Sequence, residues 1–315
     1  MAFTRVKKIL NNPLIPFSYL WVSLSPIIKS SQMWLRLYYR LRTKKRLNLV
    51  SPSSFQEKTQ WLKLHYTDPL FTRLVDKYEV RKYVAERVGD EYLIPLLGVY
   101  DRFDDIDFDL LPDQFVLKPT HDSGGIVICK DKACFNKRKA KRKLNRSLRH
   151  NYFFQGREYP YRDVKPRIVA EQYMSDGISK QLPDYKFFCF NGKPEILFMA
   201  EGRFSKEGAR FTFYDMNWKV LPIYAKGHLG NGLQSIAKRP GCFEEMKVLV
   251  QKLCLEIPFV RIDVYDVDGR VYFGEFTFFH DGGVVEFEPD EWNYRLGDMI
   301  NLPTDIQNQS HATIS

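Results

Sequence analysis

The chain of 315 residues has no long uninterrupted apolar run. A membrane-spanning helix needs about 20 such residues, and Pro16 and Pro26 break the best candidate, residues 14–28. No A-x-A-like cleavage pattern follows this segment, which makes it a poor signal peptide. Internal repeats are also absent from the sequence, which argues against repeat architectures.

Cysteine is scarce and scattered. The five cysteines show neither a zinc-ligand spacing nor the even number of a disulfide framework: Cys129, Cys134, Cys189, Cys242 and Cys254. We therefore expect reduced thiols and a cytoplasmic location.

Positive charge, by contrast, is in excess. A net charge of +10 indicates an acidic partner, and it does not by itself distinguish phosphate, nucleic acid, an anionic membrane and an anionic polymer. With 44% hydrophobic and 27% charged residues, the composition is that of a folded globular protein. The length suffices for one large domain or for two to three lobes, each with its own core.

The first 50 residues combine basic and aromatic side chains. Arg5, Lys7 and Lys8 precede the broken apolar segment, and residues 34–45 mix tryptophan, leucine and tyrosine with arginine and lysine. Two interpretations stay open. The segment is either a helical arm that packs on the rest of the protein or a peripheral contact with the anionic inner face of a membrane.

Helix signals follow this segment. Ser54 and Glu57 have the spacing of a capping box, which predicts a helix that begins at residue 55. Apolar residues at helical spacing predict a second helix from near Phe71 to Gly89.

The late stretch 258–279 reads as two strands around Asp268-Gly269, because apolar residues alternate and β-branched and aromatic types dominate. The turn length decides which side chains share a face, since alternate residues of a strand point to opposite sides. A three-residue turn places Asp263 and Glu275 on one face, whereas a two-residue turn separates them. We predict the three-residue turn.

Two carboxylates on one face of a strand pair can share a hard cation that takes oxygen ligands. Asp263 and Glu275 are therefore candidate magnesium ligands, and Arg261 beside them would neutralise phosphate oxygens on the same metal. The residues alone leave a second interpretation open, a surface hairpin whose polar face meets water.

A glycine-rich turn occurs earlier in the chain. A buried strand ends on Lys118, and Ser123-Gly124-Gly125 turns the chain back into a second strand. Glycines let backbone amides surround an anion, and the lysine adds a charge beside it. No G-K-[ST] sequence follows, so this is not a Walker loop, and Gly-Gly hairpins also occur without any ligand.

Two other stretches carry charge in an ordered context. In a hairpin predicted around Asn191-Gly192, Asp184 and Lys186 point to the same side of a mostly apolar sheet, where a lysine needs an anionic partner. Residues 137–149 predict a basic helix with a thin apolar edge, which is either a solvated face or a contact for a polyanion.

In this order, the motifs resemble the ATP-grasp superfamily, and specifically its teichuronopeptide-biosynthesis (TupA-like) branch. The likeness covers about residues 36–300, and it rests on Asp76-Lys77, FVLKPTHDSGG (115–125), AEQYM (170–174), DYKFFCFNG (184–192) and RIDVYDVDGRVYFGEFTF (261–278). The resemblance implies an α+β ATP-grasp fold, in which two α+β lobes hold ATP between antiparallel sheets, with ATP and Mg²⁺ as cofactors.

Residue by residue, the resemblance implies a nucleotide site with lysines for the phosphates, a glycine lid over the β- and γ-phosphates, an adenine edge and an acid near the ribose. The phosphate lysines are Lys77, Lys118 and Lys186, and the lid is formed by Ser123, Gly124 and Gly125. The adenine edge is formed by Glu171, Gln172 and Tyr173, and the acid near the ribose is Asp184. The implied catalytic cations are Lys118, Lys186 and Arg261, and the implied metal ligands are Asp263, Glu275 and Thr277. Thr277 departs from the family pattern, because most relatives have asparagine there, as they often do at Thr120.

For function, the resemblance implies an ATP-dependent carboxylate–amine ligase that works through an acyl phosphate. The expected partners are a uronic-acid carboxylate of a capsular or teichuronic-type polysaccharide, or its precursor, and a small amine or amino acid. An acidic glycan suits the positive charge, and nucleic acid is not expected. The alternatives are a glycosyltransferase, since D-x-D occurs at 105–107 and 266–268, and a kinase on the same scaffold. An inactive adaptor would leave the ordered motifs unexplained.

The predicted organisation has five parts. They are a basic and aromatic N-terminal arm (1–50), a helical region leading into the fold (51–112), a small lobe with the glycine lid (113–175), a large lobe with the magnesium site (176–300) and a loose tail (301–315).

Overall fold

A computed structural model of the chain describes residues 13–175, 182–201, 210–226 and 237–303. The basic residues at 5–8 and most of the predicted tail lie outside the described residues. The described helices are α1 (Ile15–Ser23), α2 (Ser31–Thr43), α3 (Phe55–His65), α4 (Pro69–Val75), α5 (Val80–Val88), α6 (Lys137–Leu148), α7 (Phe153–Gly156), α8 (Phe243–Leu253) and α9 (Glu291–Asp298). The described strands are β1 (Leu96–Tyr100), β2 (Phe115–Pro119), β3 (Val127–Cys129), β4 (Ile168–Gln172), β5 (Asp184–Phe190), β6 (Lys193–Glu201), β7 (Arg210–Asp215), β8 (Tyr224–Ala225), β9 (Phe259–Val267), β10 (Arg270–Thr277) and β11 (Phe287–Glu288).

The first lobe is built on a four-stranded antiparallel sheet in the order β1-β4-β2-β3. Ala140 and Leu144 form the apolar edge of α6, and they pack with Phe115 and Leu117 of β2 in a core of the lobe's own. Because β1 belongs to this sheet, the lobe begins before residue 113, where the sequence placed the boundary.

The second lobe is built on a five-stranded antiparallel sheet in the order β10-β9-β5-β6-β7. Its core joins the sheet to the helices α3, α4, α5 and α8. Phe55 of α3, for example, packs edge-on against Phe259 of β9 and stacks with Phe188 of β5. The helices between residues 55 and 88 therefore contribute to the core of the second lobe.

The helix signals are confirmed in one case and corrected in the other. Ser54 and Glu57 form the predicted capping box at the start of α3. The second predicted helix is two helices, because the Asp76 side chain accepts hydrogen bonds from the backbone amides of Tyr78 and Glu79 and so interrupts the helical ladder. Gly89, with φ +108°, ends α5 as predicted.

The turn between β9 and β10 has two residues, not the predicted three. Asp268 and Gly269 have φ values of 53° and 80°, and Val267 pairs directly with Arg270. Positive φ at both central residues gives a turn whose twist matches that of the flanking strands. The prediction of a three-residue turn is therefore wrong.

A β-bulge restores the face that the shorter turn would have lost. Phe273 pairs with Val264, and the next pair is Glu275 with Asp263, so Gly274 is the extra residue. A Cβ atom at Gly274 would lie 2.9 Å from the carbonyl oxygen of Asp263, closer than side chains normally approach. The two carboxylates share a face as predicted, but the bulge is the reason.

The N-terminal arm packs on the second lobe. Trp34 and Leu35 of α2 are fully buried in a cluster that includes Val284, and Lys45 lies 3.1 Å from Glu286. The packing interpretation is thus confirmed for α2 and the segment that follows it. None of the described helices combines the length and the apolar character needed to span a bilayer.

Candidate active site

Five residues from three adjacent strands form one ionic network, here named the charged floor. Arg261 places Nε and Nη2 at 2.6 and 2.8 Å from the two carboxylate oxygens of Asp263. The same Nη2 lies 3.0 Å from Glu275. Lys186 contacts Asp263 and lies 3.0 Å from Asp184. The alternation of β5 and β9 and the bulge in β10 therefore bring together five of the residues that the sequence singled out.

Opposite charges keep Arg261 and Asp263 ionised although both are buried. Burial raises the pKa of Asp263, but Arg261 and Lys186 outweigh burial and hold that pKa below its usual range. Burial lowers the pKa of Arg261, and the carboxylates of Asp263 and Glu275 raise it above its ordinary value. The floor thus presents fixed charges inside the protein, where they interact more strongly than in water.

His280 orients the floor, and the sequence reasoning did not assign it a role. Its Nδ1 lies 3.0 Å from Nη1 of Arg261. Burial, followed by the charge of Arg261, lowers the pKa of His280 to about 3. The ring is therefore neutral at physiological pH, and Nδ1 accepts the hydrogen bond from Arg261. Phe188 and Phe198 pack against the ring and hold it in place.

The charged floor opens into a cavity of about 570 Å³, here named the large cavity. Lys186, Arg261 and Glu275 supply its ionic side. Other elements supply the remaining walls, among them Tyr38 and Arg42 of α2, Ser123 of the glycine turn, Tyr152, Glu158 and Tyr161 after α6, and Asp281. The arm and the two lobes thus all contribute to one cavity.

A smaller crevice of about 70 Å³ lies between the two sheets. Lys77, Lys118 and Glu171 line it together with Glu275. Lys118 Nζ lies 2.6 Å from Glu171. Glu275 borders both the crevice and the large cavity. The half-exposed carboxylate of Glu275 therefore stands at the junction of the two spaces.

The glycine turn is tied to the crevice through Lys77. Lys77 Nζ donates a hydrogen bond to the carbonyl oxygen of Asp122 at 2.7 Å, and burial lowers the pKa of Lys77 despite the nearby carboxylate of Glu275. Gly124 has φ +117°, which favours glycine. A side chain at Gly125 would collide with the ring of Pro119, since its Cβ would lie 2.4 Å from that ring.

Some predicted residues stand apart from both cavities. Gln172 and Tyr173 follow the crevice residue Glu171 but do not line either space. The backbone amide of Gln172 donates a hydrogen bond to the carbonyl oxygen of Pro95 at 3.0 Å. Nζ of Lys130 lies 5.4 Å from the centre of the Tyr173 ring. Gly124 and Gly125 also do not line the cavities, and neither does Asp184, which joins the charged floor through Lys186.

The donor set fits a magnesium ion that a nucleotide helps to hold. Among residues 13–175, 182–201, 210–226 and 237–303, no group of three or more His, Cys, Asp or Glu side chains is arranged to hold a metal. Magnesium commonly takes only one or two carboxylates and completes its shell with phosphate oxygens and water. Glu275, which borders both spaces, and Asp263, whose oxygens contact Arg261 and Lys186, would be such a pair. Thr277 Oγ1 lies 3.5 Å from Glu275.

Comparison with known proteins gives distant structural matches. The D-alanine–D-alanine ligase from Bacillus anthracis, complexed with ATP, is 15% identical, and the match covers 70% of this chain and 57% of that chain with a TM-score of 0.37. The L-amino acid ligase from Bacillus licheniformis is 17% identical, with coverages of 73% and 50% and a TM-score of 0.42. The chain thus spans about half the length of either structure. No curated protein matches it.

The family comparison is more specific. The model of the TupA-like ATP-grasp family matches residues 57–301, which include both sheets, the glycine turn and the charged floor. The α+β architecture with two antiparallel sheets is the fold that the motifs implied, and the ATP-grasp family uses ATP and Mg²⁺ as cofactors. The chain belongs to the TupA-like ATP-grasp family.

Proposed function

We propose that the protein is an ATP-dependent carboxylate–amine ligase. It activates a uronic-acid carboxylate of a cell-surface polysaccharide, or of its precursor, as an acyl phosphate, and joins it to an amino acid or another small amine. The observation that carries this proposal is the position of Glu275, which connects a lysine-lined crevice to a large cavity with a cationic floor. The lysines of the crevice suit the phosphates of a nucleotide, and the large cavity has room for the substrates that receive its phosphoryl group.

The charges explain how these residues would act. Phosphoryl transfer depends mainly on positioning and on cations that stabilise negative charge in the transition state. Lys77 and Lys118 would bind the nucleotide phosphates, whereas Lys186 and Arg261 would face the transferred group. Magnesium, held by Asp263, Glu275 and the phosphates, would supply further positive charge at that point.

The glycine turn and the segment after β4 complete the proposed nucleotide site. Ser123, Gly124 and Gly125 would close over the β- and γ-phosphates and keep water from the acyl phosphate. Glu171, Gln172 and Tyr173 would meet the adenine, and Asp184 would lie near the ribose. Movement of the turn would be needed, since Gly124 and Gly125 do not line either cavity.

An acidic acceptor agrees with the surface of the first lobe. The exposed side of α6 carries a row of basic side chains, whereas its buried side is limited to Ala140, Leu144 and Ser147. Such a face can attract an anionic polymer to the first lobe over a long range.

The two D-x-D sequences do not favour a glycosyltransferase. Asp105 pairs with Arg102 in an exposed turn. Asp266 accepts a hydrogen bond from the amide of Gly269 in the β9–β10 turn. Neither sequence lines the large cavity, so the acids read as turn-forming residues.

The test is ADP release with ATP, Mg²⁺, glucuronic-acid oligosaccharides and a pool of amino acids. We expect ADP and free phosphate only when carboxylate and amine are both present. Lys118→Ala should abolish turnover, and Glu195→Ala, at an exposed position of β6, should not change it. A requirement for a UDP-sugar would support the transferase, and a phosphorylated product without free phosphate would support the kinase.

Peripheral membrane contact is part of the same proposal. Phe17, Leu20 and Ile27, in and just after α1, are 59%, 61% and 76% exposed. The exposed basic residues Lys29 and Arg36 follow them in the chain. Apolar side chains beside lysine and arginine suit an anionic lipid surface.

Co-sedimentation with vesicles tests this contact. The protein should bind phosphatidylglycerol vesicles and not phosphatidylcholine vesicles, and the double variant Phe17→Asp/Leu20→Asp should lose binding. Val248→Asp is the matched control, since Val248 is 56% exposed on α8. Equal binding by the double variant and the wild type would contradict the proposal.

A further inference from the structure

The large cavity contains a buried carboxylate that the charged floor does not use. Glu158 follows α7, is only 6% exposed and lines the cavity. Among the described residues, its side chain forms no hydrogen bond and no ion pair. A buried carboxylate without such a partner is costly. Its free oxygens are therefore available to a ligand in the cavity.

The protein holds Glu158 in place through a lysine and two glycines. Lys63 of α3, which is also buried, donates to the carbonyl oxygens of Gly156 and Gly282 at 2.7 and 2.8 Å. A Cβ atom at Gly156 would lie 2.7 Å from Oε1 of Glu158. The carboxylate thus occupies space that any side chain at residue 156 would take.

The charges around Glu158 suit proton transfer near neutral pH. Burial raises the pKa of Glu158 to about 7, Lys63 and Arg261 oppose this rise, and Asp281 adds to it. Burial likewise lowers the pKa of Lys63 to about 8. A general base works best when its pKa lies close to the working pH.

The other titratable side chains of this region are less suited to that task. Burial raises the pKa of Tyr38 to about 12 and raises the pKa values of Tyr152 and Tyr161 as well, so these hydroxyls stay protonated. His280 is bound to Arg261 through Nδ1. Asp281 is exposed to solvent.

An amine needs such a group. In neutral water most aliphatic amines are ammonium ions, which have no lone pair with which to attack a carbonyl carbon. We propose that Glu158 binds the ammonium group of the amine substrate and accepts its proton, an inference that rests on the proposed ligase function. Tyr38, Tyr152 and Tyr161 surround the same space with aromatic rings, which also attract a cation.

The step balances in atoms and charge. The ammonium group gives one proton to the Glu158 carboxylate, and the resulting amine attacks the carbonyl carbon of the acyl phosphate. The C–N bond forms, the C–O bond to phosphate breaks, and the phosphate leaves with the bonding electron pair. The second N–H proton passes to the departing phosphate, which gives an amide and hydrogen phosphate.

Two nucleophiles separate this role from the rest of the reaction. Hydroxylamine is uncharged at neutral pH and needs no base, whereas the amino acids of the pool arrive as ammonium ions. With ATP, Mg²⁺ and glucuronic-acid oligosaccharides, Glu158→Gln should form hydroxamate at the wild-type rate. Its rate of amide formation should fall about 10²- to 10⁴-fold, the usual contribution of a general base, and should lose the rise with pH around 7 that the wild type shows.

Gly156→Ala moves the carboxylate without removing it. We expect normal hydroxamate formation and about a 10- to 100-fold loss of amide formation, since small misplacements of a catalytic group are costly. Glu195→Gln is the control and should behave like the wild type.

The other possible outcomes would overturn either the role of Glu158 or the proposed function. Amide formation by Glu158→Gln at the wild-type rate overturns the inference, and so does an equal loss with both nucleophiles, since that would place Glu158 in the activation step. A wild-type enzyme that forms neither hydroxamate nor amide would instead refute the proposed function itself.

Discussion

The floor and the Glu158 wall of the large cavity carry charge in opposite ways. On the floor, Arg261 lies within hydrogen-bond distance of Asp263 and Glu275. Lys186 likewise contacts Asp263 and Asp184. On the other wall, Glu158 has no such partner among the described residues, and Lys63 donates to backbone carbonyls instead.

This difference indicates that the floor has a structural role, whereas the Glu158 wall is open to a ligand. The cations and carboxylates of the floor pair with one another, so the floor keeps its shape without a ligand and its cations can receive phosphate oxygens. The Glu158 carboxylate lacks a hydrogen-bond or ion-pair partner among the described residues, so a cationic ligand can form that ion pair instead. Breaking each set of contacts should therefore have different consequences for stability and for activity.

Asp263→Ala should give the largest loss of stability. The substitution leaves the buried cations Arg261 and Lys186 without their shared carboxylate, and breaking one side of a buried ion pair costs about 3–5 kcal/mol. Urea unfolding measures the change. Glu195→Ala, at an exposed position, should stay within about 0.5 kcal/mol of the wild type, and a similarly small change in Asp263→Ala would contradict the structural role.

Glu275→Ala should mainly affect activity. The Glu275 side chain is 41% exposed, and removing an exposed ion pair costs about 1 kcal/mol or less. Loss of a group that helps to stabilise transition-state charge costs about 10²- to 10³-fold in turnover. ADP release should therefore fall far more than the free energy of unfolding does, and wild-type turnover would remove Glu275 from the site.

Gly274→Ala tests the bulge that puts these two acids on one face. The added Cβ would approach the carbonyl oxygen of Asp263 to 2.9 Å, and such overpacking costs about 1–3 kcal/mol. We expect lower stability together with lower ADP release, because the backbone that carries Glu275 must shift. Gly269→Ala changes a glycine of the adjoining turn that lines neither cavity, so it should affect stability more than turnover. Equal turnover losses in the two variants would argue against a specific role for the bulge.

His280 should produce the smallest effect, one that depends on pH. Its pKa is about 3 in the folded state and its ordinary value is 6.5, so the unfolded chain binds more protons between these values. Stability should therefore fall as pH falls through this window, by at most about 1.4 kcal/mol per pH unit from this group. His280→Phe removes that contribution, so unfolding free energies between pH 6 and 5 should show a shallower slope than in the wild type.

The periodic features of the chain were accessible from sequence. Alternation placed Asp184 with Lys186, and the β9–β10 pattern placed Arg261 with Asp263, because side-chain direction in a strand follows residue parity. The route to Glu275 was misread, since a bulge changes parity without changing the hydrophobic pattern. A single glycine inside a strand, here Gly274, was the available signal.

Glu158 and His280 could not be read in the same way. Both lie outside the regular strands, so no period assigns their direction. Their importance arises from contacts between segments that are distant in sequence, such as Lys63 with the carbonyls of Gly156 and Gly282. Burial of this kind is a property of the assembled fold, and the local sequence does not encode it.

The wall formed by α2 has a consequence for how such enzymes can diverge. Tyr38 and Arg42 border the large cavity, yet they precede the segment 57–301 that the family shares. Under the proposed function, one wall of the substrate cavity thus lies outside the segment that the family model covers, whereas the charged floor lies inside it. Exchange of this 13-residue helix between relatives offers a way to retarget the enzyme while its catalytic strands stay untouched.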